Sequence, residues 1–140
     1  MNNIIKTVCF CLLAANVLAN GFQSTPMGAL YRDMKAGSGE LAATGDVATI
    51  HFTGWLEQAG KQGREFFNTR SHGNPVSFVV GTDRVIAGWN EGVIGMRAGG
   101  KRLLKLPPSL AYGSRGVDDM VPPDAPLVLI IELLVLEKRP

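Results

Sequence analysis

The stretch Leu127 to Leu136 is apolar at every position except Glu132, and few folds can use such a run. Successive side chains of a strand point to opposite sides, so both sides of this one need cover. That is the pattern of a central strand in a sheet packed on two faces, and the rest of the chain has to be built around it. Val47 to Leu56 supplies a neighbour. Ile50, Phe52 and Leu56 fall on one face and Thr49, His51 and Thr53 on the other, a period of two that predicts a half-buried strand with its aromatic face inward. Arg64 to Asn68 and Lys101 to Leu106 add further strands, Leu30 to Met34 reads as a short edge strand, and Val76, Phe78 and Val80 restore period two before Gly81.

Helical spacing occurs once. Val85, Ile86, Trp89 and Val93 are separated by three and four residues, with Asp83 placed to cap the helix they would form. Gly88, Gly92 and Gly95 make it a poor helix in isolation, so tertiary packing must hold it. The connections are rich in turn formers: Gln58 to Gly63, a loop from Thr69 to Pro75 containing Gly73, and the Gly99-Gly100 pair. Pro107-Pro108 stops the Lys101 strand, Ser109 to Ala111 makes one helical turn, and Tyr112 to Pro126 is a long loop carrying Gly113, Gly116 and Pro122-Pro123. Loops of that length in a small domain are functional or disordered. The expected architecture is α+β: five or six antiparallel strands in a sheet curled around one short helix, with one shared core.

The chain of 140 residues has the size of one domain plus an appendage. The appendage is the start. Lys6 precedes the apolar run Thr7 to Leu18, and Val17-Leu18-Ala19 offers a small-x-small cleavage pattern, so residues 1–19 read as a signal peptide. The run is about 12 residues, short of the ~20 needed to cross a bilayer, so no stable membrane association is expected. Residues 20–27 are expected as a flexible leader and 28–140 as the folded domain. Both cysteines, Cys9 and Cys11, lie in the removable segment, so the exported form carries no disulfide, thiolate nucleophile or cysteine metal site. Losing Lys6 takes the formal charge from +2 to +1, and the basic residues are scattered. Nucleic acid is therefore not an expected partner.

Several chemistries have no residues to carry them. His51 and His72 are the only histidines, no His-x-x-x-His or acidic metal box occurs, and no serine has a histidine relay. The segment Gly95 to Gly100 lacks the Lys-Ser/Thr ending of a phosphate loop. No cofactor or metal is expected.

At Val85-Ile86-x-Gly88-Trp89-x-Glu91-Gly92 the sequence resembles the FK506-binding (FKBP-type) family of peptidyl-prolyl cis/trans isomerases. The match continues through His51-Phe52-Thr53-Gly54, Gly99-Gly100-Lys101, Pro107-Pro108, Leu110-Ala111-Tyr112-Gly113 and Val121-Pro122-Pro123, and runs from about Gly45 to Glu137. The resemblance implies a hollow for a proline ring with Trp89 as its floor. Phe52, Phe66, Val85, Ile86, Tyr112 and Leu129 would form its walls, and Val117, Met120 and Val121 would line an overhanging loop. The Ile86 backbone N–H and the Tyr112 hydroxyl would each meet a substrate carbonyl.

Three departures stand out. The family commonly has tyrosine at Phe52, aspartate at Phe67 and phenylalanine at Leu129. Phe67 would make the hollow drier and remove an acceptor, which implies weaker turnover or a taste for a bulky residue before proline. In a regular strand Phe66 and Phe67 cannot both face the hollow, so either Phe67 covers another side or a bulge turns it inward. The implied function is an exported isomerase that assists folding of other exported proteins. The alternative is a proline-directed binding or chaperone module with little turnover. A monomer acting on Xaa-Pro segments is expected, with some sensitivity to macrolide inhibitors. Export without cysteines suits a bacterial periplasm better than a secretory lumen.

Overall fold

The computed structural model describes residues 21–139, so the expected signal peptide, 1–19, lies outside the described residues. Seven strands form one antiparallel sheet: β1 (Gln23–Ser24), β2 (Leu30–Lys35), β3 (Val47–Gln58), β4 (Lys61–Asn68), β5 (Val76–Val79), β6 (Lys101–Leu106) and β7 (Leu127–Glu137). The order is β1-β2-β6-β7-β3-β4, with β5 also paired to β3. Among the described residues there are two α-helices, α1 (Thr69–His72) and α2 (Ala87–Val93), and one 3-10 turn at Pro108–Leu110.

This corrects the expected architecture. Five or six strands curled around one short helix become seven strands with two helices, and the sheet is neither curled nor closed: β1 and β4 end the path, with no ladder joining them. The extra strand comes from the segment expected as a flexible leader. Gln23 and Ser24 pair with Tyr31 and Leu30, and Phe22 is buried beside them. Thr25 closes the turn, its Oγ1 accepting from the Ala29 N–H at 3.0 Å. β2 is therefore not an edge strand, since β1 flanks it on one side and β6 on the other. Sequence patterning misses β1 because two residues are too few to show a period.

The central strand is where its pattern predicts, with β7 between β6 and β3. On β3, Ala48, Ile50, Phe52, Gly54 and Leu56 are buried in strict alternation. Ile50, Leu104, Leu106, Leu127, Leu129, Ile131 and Leu133 form the most deeply buried part of the core. β3 and β4 are joined by a two-residue loop, Ala59-Gly60, with positive φ at both positions, 52° and 78°. Such a loop matches the twist of the strands it joins, and β4 begins earlier than the turn-rich composition of the segment suggests.

β5 ends its pairing with β3 at Ile50, and β4 begins its own at Thr53. Phe52 falls in the gap, where its backbone would lack partners on that side. The segment expected as a loop, Thr69 to Pro75, fills the gap with α1. Thr69 is fully buried, and its Oγ1 accepts from the Phe52 N–H at 2.9 Å and donates to the Phe52 carbonyl at 3.2 Å. Asn68 caps α1 by accepting from the Arg70 N–H, and Gly73 ends it with φ 87°. The cap and the glycine stop are helix signals, but four residues carry too little periodicity to reveal a helix.

α2 is held by the fold rather than by its own propensity. A Cβ at Gly88 would lie 2.3 Å from Leu106 Cδ1, and one at Gly92 would lie 2.2 Å from Leu104 Cδ1. The two glycines let the helix lie directly against β6. Asp83 does not cap it. The N-cap position is Ile86, which has no side-chain cap, and the loop before the helix is pinned from inside it. Asn90 Oδ1 accepts from the Gly81 N–H at 2.8 Å, and its Nδ2 donates to the Thr82 carbonyl at 2.7 Å. At the other end, buried Arg102 donates from Nη1 to the Gly92 and Ile94 carbonyls, both at 3.0 Å, while Asp33 accepts from its Nε at 2.7 Å. The guanidinium thus occupies the carbonyl end of the helix, where a cation is favoured.

Candidate functional site

α2 presents Trp89 to the inner face of β3. The Phe52 and Trp89 rings meet edge to face at 4.5 Å between centroids and 65°, and each residue is only 7% exposed. Phe78 of β5 also packs edge to face with the indole, at 5.7 Å and 61°. Aromatic pairs favour this edge contact because the positive ring edge meets the negative face. Period two identifies Phe78 as a strand residue and nothing more, and its place beside Trp89 depends on β5 pairing with β3.

The Phe66/Phe67 question has a structural answer. Opposite β4, the register of β3 shifts between Gly54 and Trp55, so that Gly54 faces Phe67 while Trp55 faces Glu65. Phe66 is the additional residue of a bulge. As a result both rings turn inward and pack against the core. Phe66 lies over Gly54, where a Cβ would sit 2.4 Å from Phe66 Cζ and 3.0 Å from Leu129 Cδ2. Phe67 stacks on Phe52 at 5.4 Å and 18°.

The remaining expected wall residues are spread between core and rim. Leu129 and Val121 are buried, each 1% exposed, and belong to the core more than to an open surface. Val85, Ile86, Tyr112 and Val117 are half-buried against the same core, and Met120 is exposed. The long loop is ordered by its own hydrogen bonds. Val117 and Val121 exchange N–H···O bonds at 2.8 and 3.0 Å, and the Asp124 N–H donates to the Gly113 carbonyl at 2.8 Å. Arg64 of β4 reaches across to donate from Nη2 to the Met120 carbonyl at 3.0 Å, which ties the loop tip to the strand that carries Phe66.

The residues expected to wall the hollow are all uncharged and lie buried or half-buried. Burial raises the Tyr112 phenol above its ordinary value, so the hydroxyl remains protonated through neutral pH and is available as a donor. Among the described residues, no group of three or more histidine, cysteine, aspartate or glutamate side chains is placed to hold a metal ion. The arrangement suits binding and twisting of an apolar group, with a few hydrogen bonds to fix its neighbours, rather than bond cleavage.

Comparison with known proteins agrees with this chemistry. The family model for FKBP-type peptidyl-prolyl cis-trans isomerase matches residues 38–134. The chain is 38% identical over 125 residues to peptidyl-prolyl cis-trans isomerase FPR2 of Saccharomyces cerevisiae, covering 89% of this chain and 90% of that protein. It is 40% identical over 109 residues to an FK506-binding protein of Neisseria meningitidis serogroup A, covering 77% of this chain and 96% of the relative. Among solved structures, FkpA from Escherichia coli superposes with a TM-score of 0.75 at 34% identity, over 99% of this chain and 61% of that one. With a match across most of its folded length and relatives well above 30% identity, the chain belongs to the family of FKBP-type peptidyl-prolyl cis-trans isomerases.

Proposed function

We propose that the hollow bounded by Trp89, Phe52, Phe66, Val85, Ile86 and Tyr112 is where an Xaa-Pro peptide bond is isomerised. The activity itself follows from the family: this is a peptidyl-prolyl cis-trans isomerase, and it serves the folding of exported proteins in the periplasm. Proline-containing peptides are its substrates. The observation that carries the assignment of the site is the Phe52–Trp89 contact at 4.5 Å, which makes an apolar floor where α2 meets β3.

The chemistry needs no covalent step. Rotation about the C–N bond costs ~18–20 kcal/mol because resonance is lost in the twisted state. Removing the carbonyl from water weakens the charge-separated resonance form, and a surface fitted to the twisted proline favours the transition state over either planar isomer. In this reading Trp89, Phe52 and Phe66 hold the ring. The Ile86 N–H, at the N-cap position outside the helical ladder, and the Tyr112 hydroxyl hold the flanking carbonyls. Val117 and Met120 flank the chain of the substrate on the loop side, while buried Val121 anchors that loop and Leu129 backs Phe66 from the core. A 10⁴-fold acceleration requires about 5.5 kcal/mol of differential binding, within reach of shape complementarity and two hydrogen bonds of about 1 kcal/mol each.

Phe67 supports a second reading. Its ring lies on Phe52 and adds apolar surface where the family commonly places an acid, which favours tight holding of proline segments over turnover. Clients are taken to be Xaa-Pro segments of unfolded exported chains, met by a monomer, and macrolides that mimic such segments would compete for Trp89. NMR exchange between cis and trans forms of a short Phe-Pro peptide tests the site. Tyr112→Phe is expected to reduce acceleration and Trp89→Ala to abolish it, with far-UV circular dichroism confirming the fold of each. Full acceleration by both variants refutes the assignment, and peptide binding without acceleration by the unsubstituted protein establishes the second reading.

A further inference from the structure

The rings do not stop at Phe67. His72, the last residue of α1, stacks on the outer face of Phe67 at 4.5 Å and 10° between planes. Phe78, Trp89, Phe52, Phe67 and His72 therefore form one continuous row from the buried core to the surface, and the first three are each 7% exposed while His72 is exposed. The imidazole is not a loose surface ring. Its Nδ1 lies 2.9 Å from the Asn68 carbonyl, which only accepts, so Nδ1 carries the proton in that bond and the ring plane is set by it. The base of the row is fixed by the same short helix, because Thr69 holds both backbone groups of Phe52.

We propose that His72 is a positioning residue for the isomerase: by stacking on Phe67 it keeps that ring flat on Phe52 and so sets the rim of the hollow. The inference rests on the hollow being the substrate site. Phe67 is held on one side by Phe52 and on the other by His72. Removal of the imidazole frees it to leave the stack and to lie across the entrance. Asn68 and Gly73, which start and stop α1, are the residues that put His72 at that height.

The test is steady-state isomerisation of a Phe-Pro peptide by His72→Ala and His72→Phe, each in the unsubstituted protein and in the Phe67→Ala variant, with Trp89→Ala as control. One stacked pair corresponds to roughly a two- to tenfold effect. H72A is expected to raise KM about threefold with kcat within a factor of two, H72F to restore KM, and H72A to add nothing once Phe67 is alanine. A KM for H72A equal to that of the unsubstituted protein, with W89A inactive, overturns the role of His72 and leaves the site standing. An equal loss from H72A in the F67A background also overturns it, since the effect would not pass through Phe67. Full activity of W89A overturns the site and this inference together.

Discussion

Gly88→Ala separates two opposing physical effects that predict opposite signs. In a helix judged by propensity alone, alanine is better than glycine by about 1 kcal/mol, so the substitution would stabilise α2. The structure gives the other answer. The new methyl would lie 2.3 Å from Leu106 Cδ1, 2.7 Å from Leu106 Cδ2 and 2.8 Å from the Leu110 carbonyl oxygen, where apolar contacts are comfortable at roughly 3.5–4 Å. Leu106 is 1% exposed, so its side chain can give way only into the surrounding core. The Leu110 oxygen belongs to the backbone of the turn begun by Pro108. The helix must therefore lift from β6. Overpacking of this kind costs about 1–3 kcal/mol, and the close backbone oxygen puts this site at the upper end, so a net loss of about 1–2 kcal/mol remains after the propensity gain. For a domain of about 120 residues the unfolding entropy is roughly 0.25 kcal/mol per degree, which converts that loss into a fall in Tm of about 4–8 °C. Because Trp89 is the next residue, the same shift displaces the floor of the hollow, and kcat/KM is expected to fall at least about tenfold. Thermal circular dichroism and peptide isomer exchange measure the two effects. An unchanged or higher Tm would refute the claim that close packing on β6, rather than helix propensity, governs this position.

Other substitutions probe separate links. Phe67→Asp, which restores the acceptor common in the family, is expected to raise kcat/KM for an Ala-Pro peptide more than twofold, and a smaller rise in a variant with native circular dichroism refutes the expectation that Phe67 limits turnover. Thr69→Val strips the Phe52 N–H and carbonyl of the one hydroxyl that serves both and is expected to cost about 1–3 kcal/mol in urea unfolding, with Thr69→Ser recovering most of it; equal stabilities would show that the gap between β4 and β5 needs no bridge. Asp46 governs acid stability: the Lys138 ammonium at 2.6 Å and the N–H groups of Ala43 and Arg139 hold its carboxyl below the ordinary range, against burial, which raises it. The folded value lies below the unfolded one, so the stabilisation is complete above about pH 4 and is lost as pH falls through the folded value. Asp46→Asn is expected to flatten that part of the stability profile, and an unchanged slope below pH 4 would refute it.

The sequence by itself determined those features that depend on local period or on a motif. Alternation placed β3 and β6, two-sided apolarity placed β7 at the centre, and spacing of three and four placed Trp89 on a helix too rich in glycine to stand alone. The family motif implied which residues would wall the proposed hollow. Tertiary structure decided whatever depends on a partner far along the chain. β1 exists because β2 offers it a ladder, and α1 exists because Phe52 needs hydrogen bonds where β5 has ended and β4 has not begun. Phe66 and Phe67 both face inward because the register slips opposite Gly54, a fact invisible in the alternation of β4 itself. A strand's period fixes which side chains share a face only while its pairing stays regular. Where a bulge or a missing neighbour interrupts the ladder, hydrogen bonds and packing across the sheet set the geometry, and in this protein those interruptions lie around Phe52, beside Trp89.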